Sequence, residues 1–267
     1  VSFWYPQKKR AGNSRVLPKL LFRAMVLQVL ALGLETSGQP GSVAVVNEHG
    51  VLAHCTYAQP NRHAELLLEQ IETVLRAARC SKGDLARIAV GTGPGNFTGL
   101  RVGIALASGI GLGLRIQVVG VSSLASLAAA VQCPESPVRI VVRDARRDEV
   151  FAGVFSAMGD PLLSPSLIPT SQLHAWLAAQ LAHHVESGKG ISIAGDGLQW
   201  LNQWQRAELA AYVPAAAESI TPDARCTAQI GLRQSHQPAV AAEYLRDADA
   251  KVPDVSPSAV LDKMTIL

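Results

Sequence analysis

Apolar positions along the chain fall into two rhythms, short unbroken runs and longer runs that repeat every 3.6 residues. The first unbroken run, 27–35, is continuously apolar and predicts a central strand. A valine-rich run at 42–47, a turn at Glu48-His49-Gly50 and a run at 51–57 predict two more strands. Pro60-Asn61 breaks the pattern. Ala64, Leu67, Leu68, Ile71, Val74, Leu75 and Ala78 then share one face of a helix expected over 62–79. A short buried strand at 87–90 follows, then a glycine-rich loop with a helix to 114, a strand at 116–121, and a helix capped by Ser122-Ser123 that runs to about 131. An antiparallel meander followed by parallel strands joined through helices gives an α/β fold class.

Cys133-Pro134-Glu135-Ser136-Pro137 reads as a linker, and beyond it the theme restarts. Strands are expected at 138–144, 149–157 and 162–168, a helix at 171–186 and a strand at 190–194. Gly195-Asp196-Gly197 leads into a helix at 198–210, and a last helix spans 222–234. Two halves that each open with three strands suggest a duplicated unit: an N-terminal lobe at 25–133 and a C-terminal lobe at 138–235, with the last helix able to pack back on the first lobe. Residues 247–267 read as a tail. Residues 1–24 read as an extension, disordered or upstream of a start at Met25. A signal peptide is disfavoured, because the apolar run leads straight into Glu35-Thr36-Ser37-Gly38 without a small-x-small cleavage site.

Composition sharpens this in two places. Hydrophobic residues make up 48% of the 267 and charged ones 17%, as in a globular protein; the four cysteines are scattered without a C-x-x-C pair, which fits a reducing, cytoplasmic setting. The formal charge of +3 comes from residues 1–24, which hold six basic residues and no acid; without them 18 basic residues face 21 acidic ones. The body as a whole is therefore not a basic nucleic-acid binder.

Candidate chemistry centres on Gly91-Thr92-Gly93-Pro94-Gly95-Asn96-Phe97-Thr98-Gly99-Leu100-Arg101. Three glycines and a proline within five residues force a tight loop, with Asn96 or Thr98 able to cap the helix. The loop is neither a P-loop nor G-x-G-x-x-G, although a helix amino terminus attracts anions. Gly99, Gly103, Ala107 and Gly111 recur every four residues as one bare stripe. Each internal glycine costs roughly 0.5–1 kcal/mol against alanine, so the stripe implies close approach of another backbone, in the same chain or in another subunit. The seven histidines form no H-E-x-x-H, and no G-x-S-x-G is present; no metal site and no catalytic residue is assigned. Glu35 and Asp144 end the first strand of each half and could face one cleft, holding a magnesium nucleotide.

Several segments together resemble the TsaB (YeaZ) family over about residues 26–246: Leu32-Gly33-Leu34-Glu35-Thr36-Ser37, Arg62-His63-Ala64-Glu65, the segment Gly93 to Gly103, Val119-Gly120-Val121-Ser122-Ser123-Leu124 and Asp144-Ala145-Arg146. The resemblance implies an actin-like (sugar kinase/Hsp70-type) fold of two RNase H-like lobes, each a mixed sheet with flanking helices. It implies a non-catalytic subunit in the formation of N6-threonylcarbamoyladenosine at position 37 of tRNAs that read codons starting with adenine. Its partners would be the paralogous transferase TsaD, the ATPase TsaE and, through the complex, tRNA; a homodimer in isolation is compatible, and no membrane is involved. Of the paralogue's H-x-x-x-H metal pair only His63 corresponds, with Leu67 at the second position. The implied pairing surface uses the first two helices, at His63, Leu66, Gly99, Gly103, Ala107 and Gly111. A nucleotide or anion site would draw on Glu35, Thr36, Ser37, Gly93, Gly95, Asp144, Gly195 and Gly197. No cofactor is required by the chain; ADP or ATP at the cleft or the partner interface is the ligand left open. The alternative is an actin-fold nucleotide hydrolase or small-molecule kinase, with a metallopeptidase reading resting only on an old family label. Two departures stand out: Ala242-Glu243-Tyr244-Leu245-Arg246 lacks the family's proline, and Arg143 places a charge where an apolar residue is usual.

Overall fold

Residues 2–4, 29–58, 63–185, 190–214, 217–235, 240–243 and 245 are described by a computed structural model. Strands β2 (Leu30–Glu35), β3 (Gly41–Asn47) and β4 (Gly50–Tyr57) form the first antiparallel meander. β5 (Leu85–Gly93) lies parallel to β2, and β6 (Gln117–Ser122) parallel to β5. A short strand from the expected extension, β1 (Ser2–Trp4), pairs antiparallel with the free edge of β4, giving the order β1-β4-β3-β2-β5-β6. Successive residues of β2 and β3 point to opposite faces, and both faces are covered. Leu32, Leu34, Val43 and Val45 meet α1 (His63–Ala77) and α2 (Phe97–Leu114) on one side; Ala31, Ala44 and Val46 meet Ala224 and Ala228 of α6 (Ala224–Arg233) on the other.

The second sheet repeats the plan. β7 (Val138–Arg146), β8 (Glu149–Ser156) and β9 (Pro161–Pro169) form a meander, and β10 (Ile191–Ala194) lies parallel to β7, in the order β10-β7-β8-β9. Leu173, Leu177 and Leu181 of α4 (Leu173–Val185) cover one face. Leu124 and Leu127 of α3 (Ser123–Ala130) pack against Val141 and Phe155 on the other. The lobes thus exchange helices: α3 follows the last strand of the first lobe but covers the second sheet, and α6 follows the second lobe but covers the first. Two mixed sheets of matching topology, each clad by helices, make the two-lobed actin-like α/β fold.

One expected helix is broken. The stretch 198–210 is a 3-10 turn, Asp196–Trp200, followed by α5 (Gln203–Leu209). The Asn202 side chain accepts the Gln205 N–H at 3.0 Å, and the Gln205 side chain accepts the Asn202 N–H at 3.0 Å. This capping box starts a new helix where apolar periodicity alone suggested continuity. The last helix likewise begins at Ala224 rather than 222, because Asp223 caps it.

Candidate functional site: the cleft between the lobes

A cleft of about 1150 Å³ separates residues 37–39, 94–97 and 100–101 of the first lobe from residues 143–147 and 196 of the second. Ser37, Gly95 and Asp144 line it, as the predicted anion site requires. The other members of that set do not reach it. Glu35 is buried beneath the floor, where it accepts hydrogen bonds from the Ser37 N–H at 3.0 Å, the Ser123 hydroxyl at 3.2 Å and the Thr227 hydroxyl at 3.2 Å. It therefore ties β2 to α3 and α6 and does not face Asp144 across an open cleft. Thr36 is also buried and packs against α2. Gly195 and Gly197 lie against Val142 of β7, with no room for a side chain.

Three N–H groups of the glycine loop are already engaged within the chain. The Gly93 N–H donates to the Ser123 hydroxyl at 3.2 Å, the Asn96 N–H to the Ser37 carbonyl at 2.7 Å, and the Gly99 N–H to the Asn96 carboxamide at 2.8 Å. Opposite the loop, Arg143 of β7 crosses from the second lobe. Its guanidinium donates to the Ser37 hydroxyl at 2.9 Å, the Pro94 carbonyl at 2.9 Å and the Ser37 carbonyl at 2.8 Å. Burial pushes this group below its ordinary range, with Asp196 and Glu35 opposing that shift. The side chain flagged as out of place in the sequence is thus a bolt between the lobes. It lies close beside Gly95, and any side chain at Gly38 would collide with it.

Asp144 serves its own turn. Its carboxylate accepts the Arg146 N–H at 2.9 Å and the Trp200 indole N–H at 3.3 Å, while its backbone N–H donates to Asp196 at 2.9 Å. Both of these carboxylate bonds fall on Oδ1, and Oδ2 lies 3.8 Å from the Arg146 Nε. Among the described residues no group of three or more His, Cys, Asp and Glu side chains converges. Burial pushes the Cys55 and Cys226 thiols up to about 12, which leaves them without nucleophilic character at neutral pH.

The small-residue stripe on α2 also needs correcting as a partner surface. Gly99, Gly103, Ala107 and Gly111 are all buried. A Cβ at Gly99 would overlap the Thr36 carbonyl, one at Gly103 the Thr36 hydroxyl, and one at Gly111 the Val118 side chain. The close approach that the stripe implied is made within the chain. Leu66 of α1 is half-buried against the same core, and the side chain of His63 lies outside the described residues. The opposite face of α2 is the bare one: Ala105, Ser108 and Gly109 are exposed, and Leu112 is 83% exposed. Its 18 residues hold no acid, and by length and composition this helix could cross a membrane, but its buried stripe is seated on the first sheet.

Ser123, Thr227 and Arg143 were missed as site residues, because their partners lie 88, 192 and 106 positions away in the chain. The charge of Arg143 within an apolar run is the one signal the sequence offers.

The family model described as TsaD: tRNA N6-adenosine threonylcarbamoyltransferase matches residues 50–254. TsaB of Escherichia coli K12, a tRNA threonylcarbamoyladenosine biosynthesis protein, is 34% identical over 121 residues, 45% of this chain and 52% of that protein. The Bacillus subtilis 168 protein of the same name is 32% identical over 125 residues, 46% of this chain and 54% of that one. The chain spans about half the length of these curated relatives. Among solved structures, a Pseudomonas aeruginosa protein described as uncharacterized with similarity to peptidase YEAZ superposes with a TM-score of 0.64 at 26% identity, over 82% of this chain and 100% of that chain. YeaZ from Pseudomonas aeruginosa superposes with a TM-score of 0.57 at 24% identity, over 76% and 91% of the two chains, a likeness of fold.

Proposed function

This chain belongs to the threonylcarbamoyltransferase family, on its TsaB (YeaZ) branch, and from that premise we propose that it is a non-catalytic, cytoplasmic subunit in the biosynthesis of N6-threonylcarbamoyladenosine on tRNA. The observation that carries this reading is the fate of Glu35 and Asp144. Both carboxylates are held by N–H and O–H donors of the chain itself, and Arg143 fixes the closure between them. Such a cleft suits a scaffold rather than a turnover site. The partner is the TsaD paralogue, TsaE joins the pair, and the docking face is the outer side of α2 around Leu112 rather than its glycine stripe. ADP or ATP, where it takes part, binds at that interface.

Co-expression tests this. The chain should co-purify with a TsaD-type paralogue, and Leu112→Asp, which touches no core contact, should abolish the complex while leaving the fold intact. The chain alone should form no modified adenosine. Wild-type pairing by the Leu112→Asp variant would remove the interface claim. Magnesium-dependent ATP turnover by the isolated chain, lost on Asp144→Ala, would restore the hydrolase reading.

A further inference from the structure

The hairpin between β7 and β8 turns through three consecutive non-glycine residues with positive φ: Arg146 at 65°, Arg147 at 56° and Asp148 at 57°. A left-handed conformation costs such a residue roughly 1 kcal/mol or more, and Asn-Gly would make the same turn without that cost. Strain of this kind persists where the side chains are in use. Here they include two arginines at the mouth of the cleft, the Arg146 side chain being 87% exposed. Arg101 approaches the same mouth from the first lobe, its guanidinium 3.7 Å above the ring of Phe97. Asp144 accepts from both Arg146 and Trp200, and so sets the half-exposed indole next to the arginine turn. With Arg143, the cleft lining holds four arginines against three carboxylates, and two of those, Asp144 and Asp196, already accept N–H groups of this turn. The body is acidic in sum, yet three guanidinium groups, those of Arg101, Arg146 and Arg147, gather at this rim, with Asp144 3.8 Å from Arg146 and Asp148 in the same turn, and it is the local distribution that selects a partner.

We propose that the rim formed by Arg101, Arg146, Arg147 and Trp200 is a contact surface for single-stranded RNA, its phosphates held by the arginines and a base stacked on the indole. The assignment rests on the subunit reading above, in which that RNA belongs to the tRNA substrate. Guanidinium groups interleaved with exposed rings fit a strand whose unstacked bases offer a π-face at each step. An acidic peptide would engage the arginines and leave the rings unused.

The test uses the full chain, alone and with the TsaD-type paralogue, and a fluorescein-labelled anticodon stem-loop RNA followed by anisotropy over a potassium chloride series. Replacing both arginines, Arg146→Gln with Arg147→Gln, should weaken binding about tenfold or more and flatten the log affinity against log salt slope by about 1.4, which is two phosphates at about 0.7 each for a single strand. Trp200→Ala should weaken binding by about tenfold with the slope unchanged. Unaltered affinity and slope in the double variant would overturn the proposal, as would equal displacement of the RNA by ATP or by polyglutamate. Co-purification with the paralogue, measured on the same preparations, separates the two readings. A double variant that pairs normally and binds RNA like wild type sinks the RNA surface alone, whereas a wild-type chain that never pairs sinks the subunit reading.

Discussion

Arg143 shows how one side chain can decide what a cleft does. A buried guanidinium that donates to neutral oxygens is expensive to desolvate, and it is tolerated because three of its N–H groups have well-placed acceptors. Arg143→Ala would remove three charge-assisted bonds spanning the lobes, and stability should fall by about 3 kcal/mol. Urea titration measures that loss, and amide exchange at Ser37–Gln39 should quicken with it. An unchanged midpoint would mean the lobes are held elsewhere. At this scale the sequence was least legible. Arg143 was conspicuous as a charge in an apolar run, but the identity of its acceptors, 49 and 106 positions away, is a property of the assembled fold. Glu35 misled for the same reason. A carboxylate at a strand end looks the same whether it faces solvent, a metal or, as here, hydroxyls from two other helices.

Helix α2 carries the corresponding lesson for an element. The repeat of small residues correctly announced that something comes close, because no other gain offsets so many glycines in a helix. It could not announce what, since the β2–β3 turn and a foreign helix would ask for the same bare stripe. The two faces of α2 can be separated by substitution. Gly103→Ala would push a methyl group into Thr36 and should lower stability by about 1–3 kcal/mol. Gly109→Ala meets nothing within 4 Å and should raise it by about 0.5–1 kcal/mol. Thermal unfolding of the pair would show shifts of opposite sign, and destabilisation by Gly109→Ala would contradict the orientation of the helix. The strands, by contrast, were legible almost throughout, because alternation and turn residues are local signals. The split of 198–210 was also written locally, in Asn202 and Gln205, beneath a periodicity that spoke louder.

For the whole molecule the governing fact is the exchange of α3 and α6. The duplicated meander was readable from strand order, but which lobe each helix covers was not, since both helices are apolar on one face and neither sequence names its sheet. The exchange makes the lobes interdependent. Residues 25–133 expressed alone would leave Ala31, Ala44 and Val46 uncovered and Glu35 without Thr227. That fragment should lack a cooperative unfolding transition and bind hydrophobic dyes, and co-expression of residues 134–267 should restore solubility. A cooperatively folded fragment would show the lobes to be independent.

The same exchange has a consequence on the ribosome. The face of the first sheet around Ala31 is closed by residues 224–233, so it stays unfinished until synthesis has passed them. Contacts at such separation are slow to form, because the loop they close must lose its freedom before any burial rewards it. Until then the nascent chain carries an apolar surface that α6 will cover, and it is then most open to chaperones, to proteases and to wrong partners.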